Sequence, residues 1–216
     1  MLRNTLLIIF FVFALFYIFF IDVISIESKM IFKLIPMLTL IIIAITTKVH
    51  LSTSYKTLLC IGLIFCSIGD YSLQWFIIGL SSFLIGHVFY ILAFHQTNER
   101  SIPTYIKILL ALYGLTMIIW VSGTLWQRAD FILAIAVTVY ILIILTMGLM
   151  SFKVGSSFAI IGALLFICSD TVLAINRFIY PIEYSHQLIM FTYYGAQLLL
   201  ALSIAKYNEA QQKVVQ

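Results

Sequence analysis

The sequence predicts an all-α fold: a polytopic integral membrane bundle of eight transmembrane helices. Three observations predict it. Hydrophobic residues make up 63% of the chain and charged residues 9%, with a mean hydropathy of +1.15. A soluble domain is about half apolar and about a quarter charged, and a chain of 216 residues folded in water exposes too much surface to hide that excess. The apolar residues gather into eight runs of about 20, the length a helix needs to cross a hydrocarbon core. This composition excludes a water-soluble protein, a disordered chain and a nucleic-acid binder. The net charge of +4 is scattered through short loops, with no polybasic run.

The first run, Thr5–Ile24, follows Arg3 as a signal peptide would. It is long, however, and lacks a small-x-small cleavage site, so an uncleaved span is expected. Met30–Thr47 is the second span, with Pro36 expected within two turns of its start. Tyr55–Trp75 and Phe76–Gln96 meet almost without a loop and form a helical hairpin. Pro103–Ser122 opens on proline, which the first turn of a helix tolerates. Ala129–Met150, Ser156–Phe178 and His186–Tyr207 complete the set, with Pro181 in the last loop. Cys60, Cys66 and Cys168 lie inside apolar stretches and read as small buried hydrophobes, not as a disulfide or metal framework. No separate soluble domain is expected; residues 1–216 form one membrane-embedded unit.

With eight spans both termini lie on one side. Eight of the twelve Lys and Arg residues fall on that side and four on the other. The excess of positive charge predicts cytoplasmic termini in a bacterial inner membrane.

Acidic residues deep in apolar sequence are costly, face a cavity, and mark function. Two stand out, Asp70 and Asp170. Each follows a glycine by eight residues, Gly62 or Gly162, and a small residue, Gly69 or Ser169, directly precedes it. The two spans enter from the same side, which places both carboxyls at nearly equal depth in the outer half. They become neighbours if the third and seventh spans pack together. The likeness hints at a four-plus-four internal repeat. Lys33, His87, Tyr90, Tyr193, Tyr194 and Gln197 reach the same layer from the second, fourth and eighth spans, as side chains do when they build a site inside a helix bundle.

No nucleophile elbow, Ser-His-Asp set or P-loop is present. His50, His95 and His186 fall at span ends or loops, so a three-histidine zinc site fails; Asp70, Asp170 and His87 remain as an alternative metal set. Paired carboxylates suit acid–base chemistry better. Two like charges in a low-dielectric site cannot both form easily, so one group holds its proton while the other is ionised. Such a pair protonates one atom and activates a water.

The ordered set Lys33-Leu-Ile-Pro36, Gly69-Asp70, Gly86-His87 with Tyr90, Ser169-Asp170 and Tyr193-Tyr194-Gly195-Ala196-Gln197 resembles the YhhN family of membrane lysoplasmalogenases, over about Met30 to Tyr207. The resemblance implies hydrolysis of the vinyl ether of a lysoplasmalogen to a fatty aldehyde and glycerophosphoethanolamine or glycerophosphocholine, with no cofactor and no metal. It implies a lysophospholipid substrate and membrane lipids as partners; it names no protein partner and no nucleic acid. Asp70 and Asp170 are then the catalytic pair, either of them taking either role. His87, Tyr90, Tyr193, Tyr194 and Gln197 orient the acids and the water, and Lys33 is expected to hold the headgroup phosphate. The alternatives are a small proton-coupled transporter and a non-catalytic lipid-binding protein.

Overall fold

A computed structural model describes residues 2–23, 25–49, 53–97 and 100–215. Among these residues the chain forms eight long helices and no strand: α1 (Leu2–Phe19), α2 (Ile26–Thr46), α3 (Thr53–Ser72), α4 (Phe76–His95), α5 (Thr104–Gln127), α6 (Phe131–Ser151), α7 (Ser157–Phe178) and α8 (Ser185–Val215). Seven are long and apolar enough to cross a membrane. The eighth, α3, falls short in apolarity because Thr53, Ser54, Lys56, Asp70 and Ser72 crowd its ends. It is sheltered by α2, α4 and α8. The chain is an integral membrane protein.

Several boundaries differ from the sequence reading. Helix α2 begins at Ile26, so Pro36 sits mid-helix instead of near its start. The prolyl nitrogen cannot donate to the preceding turn, and the freed backbone is tolerated inside a helix bundle. Helix α5 runs on through a π-helical turn at Ile118–Ser122 to Gln127, and α8 extends to Val215. Cys60 and Cys66 are buried as expected, whereas Cys168 is exposed on the outer face of α7. Ile24 and His50 lie outside the described residues.

The closest helix pairs are α3 with α4 and α7 with α8. Glycine makes both possible. A Cβ on Gly62 would fall 2.3 Å from Tyr90 Cε1 of α4, and one on Gly162 would fall 3.1 Å from the Ala196 carbonyl of α8. Small residues let backbones approach this way where lipid supplies no hydrophobic drive. Interhelical hydrogen bonds finish each pair: Ser82 Oγ donates to the Phe65 carbonyl at 2.7 Å, and Ser169 Oγ to the Ile189 carbonyl at 3.0 Å. Helices α3 and α7 share no extended packing among the described residues; α8 lies against both.

Candidate active site

Asp70 and Asp170 stand about 25 Å and about 20 Å along α3 and α7 at 1.5 Å per residue, and both line one cavity of about 90 Å³. That volume admits a few waters. The cavity lies toward the end of the bundle where α3 and α7 finish and α4 and α8 begin, with Leu73, Phe76, Phe178 and Ile189 around it. Its walls are otherwise apolar, including Leu80, Phe83, Ile141 and Ile144.

Asp70 is buried, and both of its oxygens are engaged. Lys33 of α2 places Nζ 3.1 Å from Oδ1 and forms an ion pair with it. The same ammonium donates to the Asp70 backbone carbonyl at 3.1 Å, and Tyr193 of α8 donates to Oδ2 at 2.6 Å. Tyr194 fixes the lysine from behind by donating to the Lys33 carbonyl at 2.8 Å. A buried charge survives only when paired and hydrogen-bonded in this way.

Asp170 is half-buried and has no cation partner among the described residues. Tyr140 of α6 donates a short hydrogen bond to Oδ2, and Oδ1 has no partner among the described residues. The two halves of the bundle therefore run in parallel up to a point. In each, the helix before the carboxylate helix supplies its partner, Lys33 for Asp70 and Tyr140 for Asp170. One carboxyl is charge-compensated and the other is not.

The remaining sequence candidates form a layer behind the cavity. His87 is fully buried, and neither ring nitrogen has a well-formed hydrogen bond to any of the described residues. Its ring packs 4.5 Å from Phe166 and 5.4 Å from Tyr140. Tyr90 donates to Gln197 Oε1 at 2.8 Å, away from both carboxyls. Tyr194 packs toward α1, beside Phe10 and Tyr17. Among the described residues no three His, Cys, Asp or Glu side chains converge as a metal site requires. Tyr140 was missed by the sequence reading, as was Tyr113, which lines the cavity and hydrogen-bonds Thr171. The signal for Tyr140 was its place, nine residues into an apolar helix and below the interfacial depth where tyrosine is common.

The sequence pattern of the YhhN family matches residues 28–204. The chain belongs to the YhhN family. That YhhN match takes in all eight candidate residues from Lys33 to Gln197 and every wall of the cavity. The chain is 35% identical over 172 residues to the lysoplasmalogenase TMEM86A of Bos taurus, covering 71% of this chain and 67% of that one. It is 34% identical over 179 residues to the lysoplasmalogenase TMEM86B of Sus scrofa, covering 81% and 74%. It is 32% identical over 171 residues to TMEM86A of Homo sapiens, covering 71% and 67%. No solved structure matches this YhhN chain.

Proposed function

We propose that this chain is a membrane lysoplasmalogenase that hydrolyses the vinyl ether of a lysophospholipid by carboxylate acid–base catalysis. The observation that carries the proposal is two carboxyls on one apolar cavity, of which, among the described residues, Asp70 alone has an ammonium partner. With one fixed cation and two acids, the site is neutral when it holds one proton. That proton belongs on Asp170, whose charge nothing would balance.

The chemistry follows from that placement. Asp170 donates its proton to the β-carbon of the vinyl ether, and the α-carbon becomes an oxocarbenium. Asp70, held as carboxylate by Lys33 and Tyr193, stabilises the cation and takes a proton from the water that attacks the α-carbon. As the hemiacetal collapses, Asp70 returns its proton to the glycerol oxygen while the C–O bond breaks, the hemiacetal hydroxyl gives its proton back to Asp170, and the aldehyde leaves. Tyr140 orients Asp170. His87, Tyr90, Tyr194 and Gln197 hold the surrounding helices and tyrosines in place. Apolar walls accept the alkenyl chain.

The surplus of basic residues on the terminal side supports cytoplasmic termini in a bacterial inner membrane, with the whole chain acting as one membrane-embedded unit. A cavity confined to one end of the bundle favours a hydrolase over a carrier, which needs access from both sides. The test is aldehyde release by purified protein from a lysoplasmalogen beside an ester lysolipid. Aldehyde from the vinyl ether substrate, lost in Asp170→Asn, supports the proposal; flux of solute across proteoliposomes with no lipid turnover overturns it.

A further inference from the structure

Lys33 is committed to Asp70, which leaves the substrate phosphate without the cation expected for it. A second cavity supplies one. It measures about 680 Å³ and lies beside the first, the two sharing Phe76 as a common wall. It is built where α4 and α6 begin and α7 ends, and Trp75, Asp130, Phe131 and Arg177 line it. Arg177 and Asp130 are both exposed and neither forms an ion pair among the described residues. The Arg177 guanidinium lies over the Phe76 ring with its carbon 4.1 Å from the centroid. Its charge is thereby positioned at the rim of the catalytic cavity without being neutralised.

We propose that this groove is the headgroup subsite of the substrate, with Arg177 taking the phosphate and Asp130 with Trp75 taking the ammonium of a zwitterionic phosphoethanolamine or phosphocholine. The proposal rests on the lysoplasmalogenase reading. Three features support it. A free cation and a free anion in one groove match the two charges of such a headgroup. Arg177 follows Asp170 by seven residues, so the two lie on one face of α7 about 10 Å apart. That matches the extended span from phosphorus to the vinyl β-carbon in a lysoplasmalogen, about 9 Å from ordinary bond lengths. The groove also sits at helix ends near exposed Trp75, Trp126 and Tyr180, the level at which headgroups lie. A guanidinium recognises phosphate through its planar fork.

The experiment uses the full chain in nanodiscs and three substrates: 1-alkenylglycerol, its 3-phosphate, and the phosphoethanolamine lysoplasmalogen. Arg177→Gln is expected to raise KM for the two phosphate-bearing substrates about 10-fold relative to alkenylglycerol, as loss of a charged hydrogen bond would. Asp130→Asn is expected to raise KM for the phosphoethanolamine substrate relative to the bare phosphate. An equal change on all three substrates, or none on any, overturns the subsite. Equilibrium binding of lysophosphatidylethanolamine against monoacylglycerol, read by tryptophan fluorescence, needs no turnover. If the wild type releases no aldehyde yet Arg177→Gln weakens only the lysophosphatidylethanolamine, the hydrolase reading fails and the subsite stands. If diacyl phosphatidylethanolamine competes as well as the lysolipid, the groove holds bilayer lipid and the proposal falls.

Discussion

Lys33 and Asp70 are joined twice, through an ion pair of 3.1 Å to the carboxylate and a hydrogen bond of 3.1 Å to the Asp70 carbonyl. The ammonium so ties the second helix to the last turn of the third. Removing it strands a buried carboxylate. Lys33→Met is expected to cost about 3–5 kcal/mol, as breaking one side of a buried pair does, and to lower kcat rather than only raise KM. Adding Asp70→Asn in the same chain restores the thermal midpoint in detergent while activity stays absent. A Lys33→Met protein with native stability and a changed KM alone would contradict this account.

Asp70→Asn and Asp170→Asn each remove a group that holds or moves a proton. Each is expected to lower aldehyde release by about 10²–10⁴, the usual worth of such catalysis. Gel filtration and circular dichroism should show an intact helical protein.

The phenols define a milder series. Tyr140→Phe and Tyr193→Phe delete one hydrogen bond to Asp170 and Asp70 respectively. About 1.5–3 kcal/mol attaches to a hydrogen bond with a charged group, so kcat is expected to fall about 10-fold or more in single-turnover measurements. Tyr90→Phe, whose hydroxyl meets Gln197, should alter kcat less than either.

His87 has no well-formed hydrogen bond among the described residues and lies among aromatic rings. Replacing an orphaned buried polar group with an apolar one of similar shape is neutral or stabilising. His87→Leu is therefore expected to keep or raise the thermal midpoint. A large loss of stability would mean that the ring nitrogens have a partner, such as a bound water.

Gly62→Ala places a methyl carbon 2.3 Å from the Tyr90 ring. The α3–α4 pair must open or the tyrosine must leave its bond to Gln197. Melting should fall by several degrees, with partial recovery in Gly62→Ala/Tyr90→Leu.

The spans and the two carboxyls were legible because both are signals of composition: long apolar runs and acids where acids are expensive. The glycine eight residues before each acid was legible too, and it forms the tight contact within each helix pair. What stayed hidden depends on rotation about helix axes. Tyr194 adjoins Tyr193 in sequence, yet one phenol reaches a carboxylate and the other a lysine carbonyl on the far side. Lys33 reads as an interfacial residue because the apolar run of its helix starts at Met30; the extra turn from Ile26 takes it deeper, to Asp70. Tyr140 was hidden by its neighbours, since a tyrosine in Phe131–Ser151 carries no charge to mark it. Arg177 carries no mark in the sequence beyond its charge near a helix end; its place over the Phe76 ring exists only in three dimensions.

The two glycine-locked helix pairs have a mechanical consequence. Each pair is braced within itself, and each carries one of the two acids. The distance between the acids is therefore set by the seam along which the pairs meet, where α8 reaches α3 and α4 through the Tyr193–Asp70 and Tyr90–Gln197 hydrogen bonds. A bilayer thickness that shifts one pair against the other is therefore expected to change that distance, and turnover with it, while each pair keeps its own packing.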